Sequence, residues 1–124
     1  FQRREAYRVQ TPVAQPLKVI VPAADGRRSF ALKVFDLSCG GVGVHLPSDA
    51  PALEPGQRLQ GCVLALPGIG EIRADLEVRH LMRSASPAGP VTRCGLQFVD
   101  LSTAHGTLVQ RYINRLDRDR RSRI

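Results

Sequence analysis

The sequence has no tryptophan, two tyrosines and four phenylalanines in 124 residues. Proteins that read single-stranded nucleic acid stack its bases on exposed rings. Here Phe30, Phe35 and Phe98 sit inside apolar runs that read as core, so DNA or RNA binding is not expected. Long apolar runs are missing too: none reaches the roughly 18 residues of a membrane span, and no basic-then-apolar leader opens the chain. A soluble domain without membrane insertion is the expectation. The three cysteines (Cys39, Cys62, Cys94) lie far apart with no C-x-x-C pair, which excludes a disulfide framework and a zinc site. Reduced thiols in the cytoplasm, packed as small apolar side chains, fit that usage. His45, His80 and His105 are isolated, Ser38 is not in a G-x-S-x-G elbow, and Cys39 has no base near it in sequence. Neither a metal site, a cofactor nor an enzyme is expected; His45 and His80, in or at the ends of strand-like runs, read as structural.

Lysine is the remaining scarcity. Of 18 basic residues only Lys18 and Lys33 are lysine, and the formal net charge is +7. Arginine's planar fork suits phosphates and guanine edges better than a lysine point charge does. Arginine-rich codon usage in a GC-rich genome gives the same excess, so composition alone does not choose a partner.

Most of the chain reads as strand. Apolar runs at 17–21, 29–37, 42–46, 58–66, 71–82 and 91–101 are separated by turn signals, among them Asp25-Gly26 and the Pro-rich 47–57. In 71–82, Ile72, Ala74, Leu76 and Val78 face one way and the charged residues the other, as in a half-buried strand. The segment 84–90, "SASPAGP", reads as a loop. After the last strand the period changes: Ser102 is an N-cap candidate, and Leu108, Val109, Tyr112, Ile113 and Leu116 form one helical stripe. The expectation is an all-β fold, a six-stranded antiparallel β-barrel plus a C-terminal α-helix, since closure removes sticky edges. Residues 1–16 form a flexible arm, 17–101 the barrel, and 102–124 the helix with a solvated basic tail.

Two motifs remain. Arg4 and Arg8 make an R-x-x-x-R pair in the arm, with Arg3 beside them, and Pro12 and Pro16 favour an extended arm over a helix. Asp36-Leu37-Ser38-Cys39-Gly40-Gly41 has the form D-x-S-x-x-G on a strand-to-strand turn. A carboxylate there accepts from paired N–H donors such as a guanine edge, and Gly40 and Gly41 permit positive φ and close approach of a ligand to the main chain. Taken alone, Asp36 and Ser38 equally well hydrogen-bond the turn itself.

Together, the arm, the turn motif and "CGLQFVDLS" at 94–102 with its G-x-x-F resemble the PilZ domain over essentially the whole chain. "QRREAYRV" and "LVQRYINRLDRDRR" resemble especially the C-terminal PilZ domain of flagellar brake proteins. That resemblance implies cyclic di-GMP as ligand, with Arg4 and Arg8 gripping phosphates and guanines. Asp36, Ser38 and Gly41 would take a guanine edge and the adjacent backbone, Gly40 and Gly95 lying beside them. The family takes this ligand as one molecule or as a self-intercalated pair; Arg3, a third arginine beside the pair, favours the expectation of two copies. The resemblance also implies a preceding β-domain, in keeping with a first residue that is not Met. Flagellar motor or stator proteins are the implied partners, with recruitment of a cytoplasmic protein to the flagellar basal body. Control of exopolysaccharide or other biofilm output, and a protein-interaction barrel that binds no nucleotide, are the alternatives.

Overall fold

The computed structural model describes residues 9–12, 17–23, 27–47, 52–87 and 89–121. The elements in order are β1 (Val9–Gln10), β2 (Lys18–Pro22), β3 (Ser29–Leu37), β4 (Gly41–Leu46), β5 (Arg58–Leu66), β6 (Gly70–Ser86), β7 (Gly89–Val99) and α1 (Thr103–Arg121). All pairings are antiparallel. The sheet order is β1-β3-β2-β5-β6-β7-β4, and β3 also pairs with β4. That last pairing closes β2 to β7 into the six-stranded barrel, with β1 an extra strand on β3.

The alternation read from the sequence is the reason. Val19 and Val21, Leu32 and Val34, Val42 and Val44, Leu64 and Leu66, Ile72, Leu76 and Val78, and Leu96 all turn inward and are buried in one core. Val109, Tyr112, Ile113 and Leu116 of α1 join the same core. Burying a side chain of this size contributes about 1.5–3 kcal/mol. Helix α1 starts at the expected cap: Ser102 Oγ accepts from the His105 amide at 3.1 Å, and the Ser102 carbonyl from the Gly106 amide at 2.8 Å.

Three expectations change. Val9 and Gln10, inside the 1–16 arm, are paired with Leu37 and Asp36 of β3. Val9 is buried, and the following Thr11 is held by its amide to the Phe35 carbonyl and by its hydroxyl to the Val34 carbonyl. The loop expected at 84–90 is the tip of a hairpin, with pairs running out to Ser86 and Gly89. Its Ser, Pro and Gly content mimics a loop, yet β4 ends opposite Thr92, so Pro90 lies on an edge where the lost amide donor is tolerated. The basic tail is helical as far as Arg121, and the Arg120 guanidinium donates to the Gln10 carbonyl. The turn expected at Asp25-Gly26 lies outside the described residues.

Candidate functional site

The D-x-S-x-x-G motif is the β3–β4 turn. Ser38, the buried polar residue here, accepts from the amides of Gly40 and Gly41 at 3.2 Å each, and its hydroxyl lies 3.4 Å from the Gly41 carbonyl, which accepts from it. The Ser38 amide donates to the same carbonyl at 2.9 Å. The hydroxyl therefore builds the turn. Neither Gly40 nor Gly41 adopts positive φ, contrary to the expectation. Gly41 is required for another reason: a Cβ there would collide with the Leu96 carbonyl oxygen on β7.

Asp36 reaches the outer surface because β3 carries a bulge. The β3–β4 register shifts between Val34 and Asp36, so Val34 and Leu37 both point inward and Phe35 and Asp36 both point out. Strict alternation from Leu32 and Val34 would bury Asp36. A second bulge, between Val78 and His80 on β6, turns Arg79 and His80 outward together. Bulges that re-aim side chains gather around functional sites.

Between these margins lies a row fixed by register. Asp36 pairs with Gly43, Gly43 with Gly95, and Gly95 with His80. A Cβ at Gly43 would meet Asp36 Oδ1 and, at 2.7 Å, Phe35 Cζ; one at Gly95 would overlap the His80 ring. Two glycines thus make a floor on which the Asp36 carboxylate and the His80 imidazole lie. His80 divides this trough into two clefts. One, of about 260 Å³, is lined by Ser38, Gly40, Gly41, Arg79, His80 and Gln97. The other, of about 280 Å³, is lined by Phe35, Asp36, Gly43, His80, Met82 and Arg93. Arg79 makes an exposed ion pair with Glu77 at 2.9 Å, worth little in water and readily exchanged for another anion. A larger hollow of about 660 Å³, at the other end of β3 beside Phe30 and Leu59, holds none of the motif residues.

The outward row above the floor is Lys33, His45, Arg93 and Met82, each opposite the next. The His45 pKa is lowered, first by burial and then by the Arg93 and Lys33 charges. Phe35, expected in the core, is half-buried on this outer face, its centroid 4.9 Å from that of His45. His80, expected to be structural, is exposed and lines both clefts. The turn is also tied to α1: Cys39 Sγ lies 2.8 Å from Gln110 Oε1.

Of the candidate residues, Asp36, Ser38, Gly40, Gly41 and Gly95 converge on this trough. Arg3, Arg4 and Arg8 lie outside the described residues. Sequence reasoning missed Gly43, Arg79, His80, Gln97 and Arg93. A glycine inside a strand is a signal of close approach, and Gly43 was legible on that ground; the others depend on register. Among the described residues no group of His, Cys, Asp and Glu could hold a metal ion, and no helix is long and apolar enough to cross a membrane.

Three comparisons bear on identity. The flagellar brake protein YcgR of Azoarcus sp. (strain BH72) is 38% identical over 127 residues, covering 99% of this chain and 49% of that protein. YcgR of Thauera aminoaromatica is 40% identical over 122 residues, covering 95% and 46%. The chain thus spans about half the length of the curated relatives it matches. The solved PilZ domain with c-di-GMP of YcgR from Escherichia coli shares the fold, with a TM-score of 0.78, 23% identity and coverage of 94% and 93%. The family model described as PilZ domain matches residues 2–115, and with that the chain belongs to the PilZ domain family.

Proposed function

We propose that this domain is a receptor for cyclic di-GMP and that its output is a change in the arrangement of the rest of the protein, in control of flagellar motility. The carrying observation is the trough. A carboxylate able to accept from a guanine edge lies beside a two-glycine floor, with Arg79 and His80 lining the adjoining cleft. The named E. coli relative was solved with c-di-GMP, and the sequence relatives are named flagellar brake proteins.

Asp36 accepts the paired N–H donors of one guanine. Ser38 holds the turn so that its backbone and Gly41 meet the ligand without a side chain intervening. Arg4 and Arg8 close from the arm onto phosphates and guanines. Arg8 is bonded to Val9, which pairs with Leu37, so chain connectivity leads the arm to this end of β3. Arg3 serves a second ligand copy. No bond is made or broken; the domain is not an enzyme and needs no cofactor. In the full-length protein the capture of ligand by Arg4 and Arg8 moves the preceding region, and a motor or stator protein in the cytoplasm reads the result.

Isothermal titration of cyclic di-GMP into the wild type and an Arg4→Ala/Arg8→Ala variant tests the reading. Each charge-assisted bond is worth about 1.5–3 kcal/mol, so losing both arginines should abolish measurable binding, with a wild-type stoichiometry of two. No heat with the wild type refutes the receptor. A stoichiometry of one refutes the role of Arg3.

A further inference from the structure

The outer face carries a cationic shoulder that none of the motif residues explains. The bulge that delivers Asp36 also leaves Phe35 without a β4 partner, its ring against the sheet's outer surface. Arg93 Cζ stands 4.8 Å from the centroid of that ring, a cation–π contact that holds an otherwise free, exposed guanidinium in one place. Lys33 lies in the same outward row, on the far side of His45. Among the described residues neither Lys33 nor Arg93 is paired with a carboxylate. Two like charges gathered on one stretch of sheet repel each other and add to burial, the larger cause, in lowering the pKa of the imidazole between them. The cation–π contact places Arg93 but does not offset its repulsion from Lys33; an anion seated there does. The cleft beside Arg93 is the one that holds Asp36.

We propose that Arg93, held on Phe35 and supported by Lys33, is a phosphate-binding residue for the cyclic dinucleotide whose guanine Asp36 accepts. This rests on the receptor reading above and extends it: the phosphate is taken by the barrel wall as well as by the arm. Phe35 is a positioning residue, because it acts through the guanidinium it carries.

The test is titration of cyclic di-GMP into wild type, Arg93→Ala, Arg93→Lys and Phe35→Leu, with thermal melts of each. Arg93 is exposed, so the melts of its two variants should match wild type. Arg93→Ala should lose about tenfold in affinity, the low end for one charge-assisted bond. Arg93→Lys should recover most of it, because a phosphate accepts a point charge. Phe35→Leu should fall between them. Arg93→Ala binding like wild type overturns the proposal, and so does Arg93→Lys binding as weakly as Arg93→Ala, which would assign a planar stack or fork instead. A wild type that binds no cyclic di-GMP refutes the receptor reading itself, and the phosphate site with it.

Discussion

At the scale of single residues, the site is made by what two strands leave out. A Cβ would meet close neighbours at both Gly41 and Gly95, but atoms of different kinds. At Gly41 the obstacle is the Leu96 carbonyl, part of the backbone; at Gly95 it is the His80 ring, which can swing aside. Gly41→Ala should therefore cost on the order of 2 kcal/mol. Gly95→Ala should stay within about 1 kcal/mol of wild type while raising the trough floor and weakening ligand binding. Urea unfolding and ligand titration on the same samples separate the two. A Gly41→Ala protein as stable as wild type would remove the close approach as the reason for that glycine. His45 gives a residue-scale pH dependence. Its folded pKa lies below the ordinary 6.5, so the unfolded chain takes up the proton at higher pH than the folded one. Stability linked to His45 is whole above about pH 6.5 and is lost as pH falls from there through the folded value. Between pH 7.5 and 5.5 the wild type should lose more stability than His45→Gln. Equal losses would mean that neither burial nor the cationic row disfavours the imidazolium.

At the scale of elements, the helix start was legible because capping is local. A hydroxyl three residues before an amide of the first turn needs no knowledge of the rest of the fold. Ser102→Ala should destabilise by about 1 kcal/mol in thermal or urea unfolding, and Ser102→Asp should not. If alanine costs nothing, the cap is redundant with the packing of Val109 and Ile113. The helix end was less legible. Asp117 to Arg121 looks like a solvated tail, but Arg120 donates to Gln10 and Arg115 to the Pro67 carbonyl at 3.1 Å, contacts to segments 110 and 48 residues away. The hairpin tip at 84–90 was missed for a related reason. Its composition is that of a loop, and only the β6–β7 ladder from Asp75 and Val99 outward carries it as strand.

At the scale of the whole molecule, barrel closure is the property to measure. Cys62 on β5 and Cys94 on β7 are buried, and burial pushes each thiol up to about 11. Near pH 8 they are unreactive unless the barrel opens. In a timed alkylation Cys39 should react first, and Cys62 and Cys94 later at one shared rate that urea accelerates equally. Different rates for the two would mean that β5 and β7 open separately rather than as one closed sheet.

Alternation of apolar residues, the helical stripe and the cap determine the strands, the helix and the all-β class without reference to anything distant. Each reflects chemistry within a few residues of chain. The D-x-S-x-x-G motif singles out Asp36, Ser38 and Gly41, but only its resemblance to the family, not local chemistry, gives them a ligand to hold. Tertiary structure alone decided which residues stand across from them. Asp36 and His80 reach one outer face because two bulges reset the inward–outward alternation, and a bulge leaves almost no trace in periodicity. Phe35, which alternation and hydrophobicity assign to the interior, becomes a surface ring beneath Arg93 by the same displacement. Gly43 and Gly95 form one floor because β4 and β7, about fifty residues apart in sequence, pair at that register; long-range pairing of this kind is set by the whole barrel closing at once.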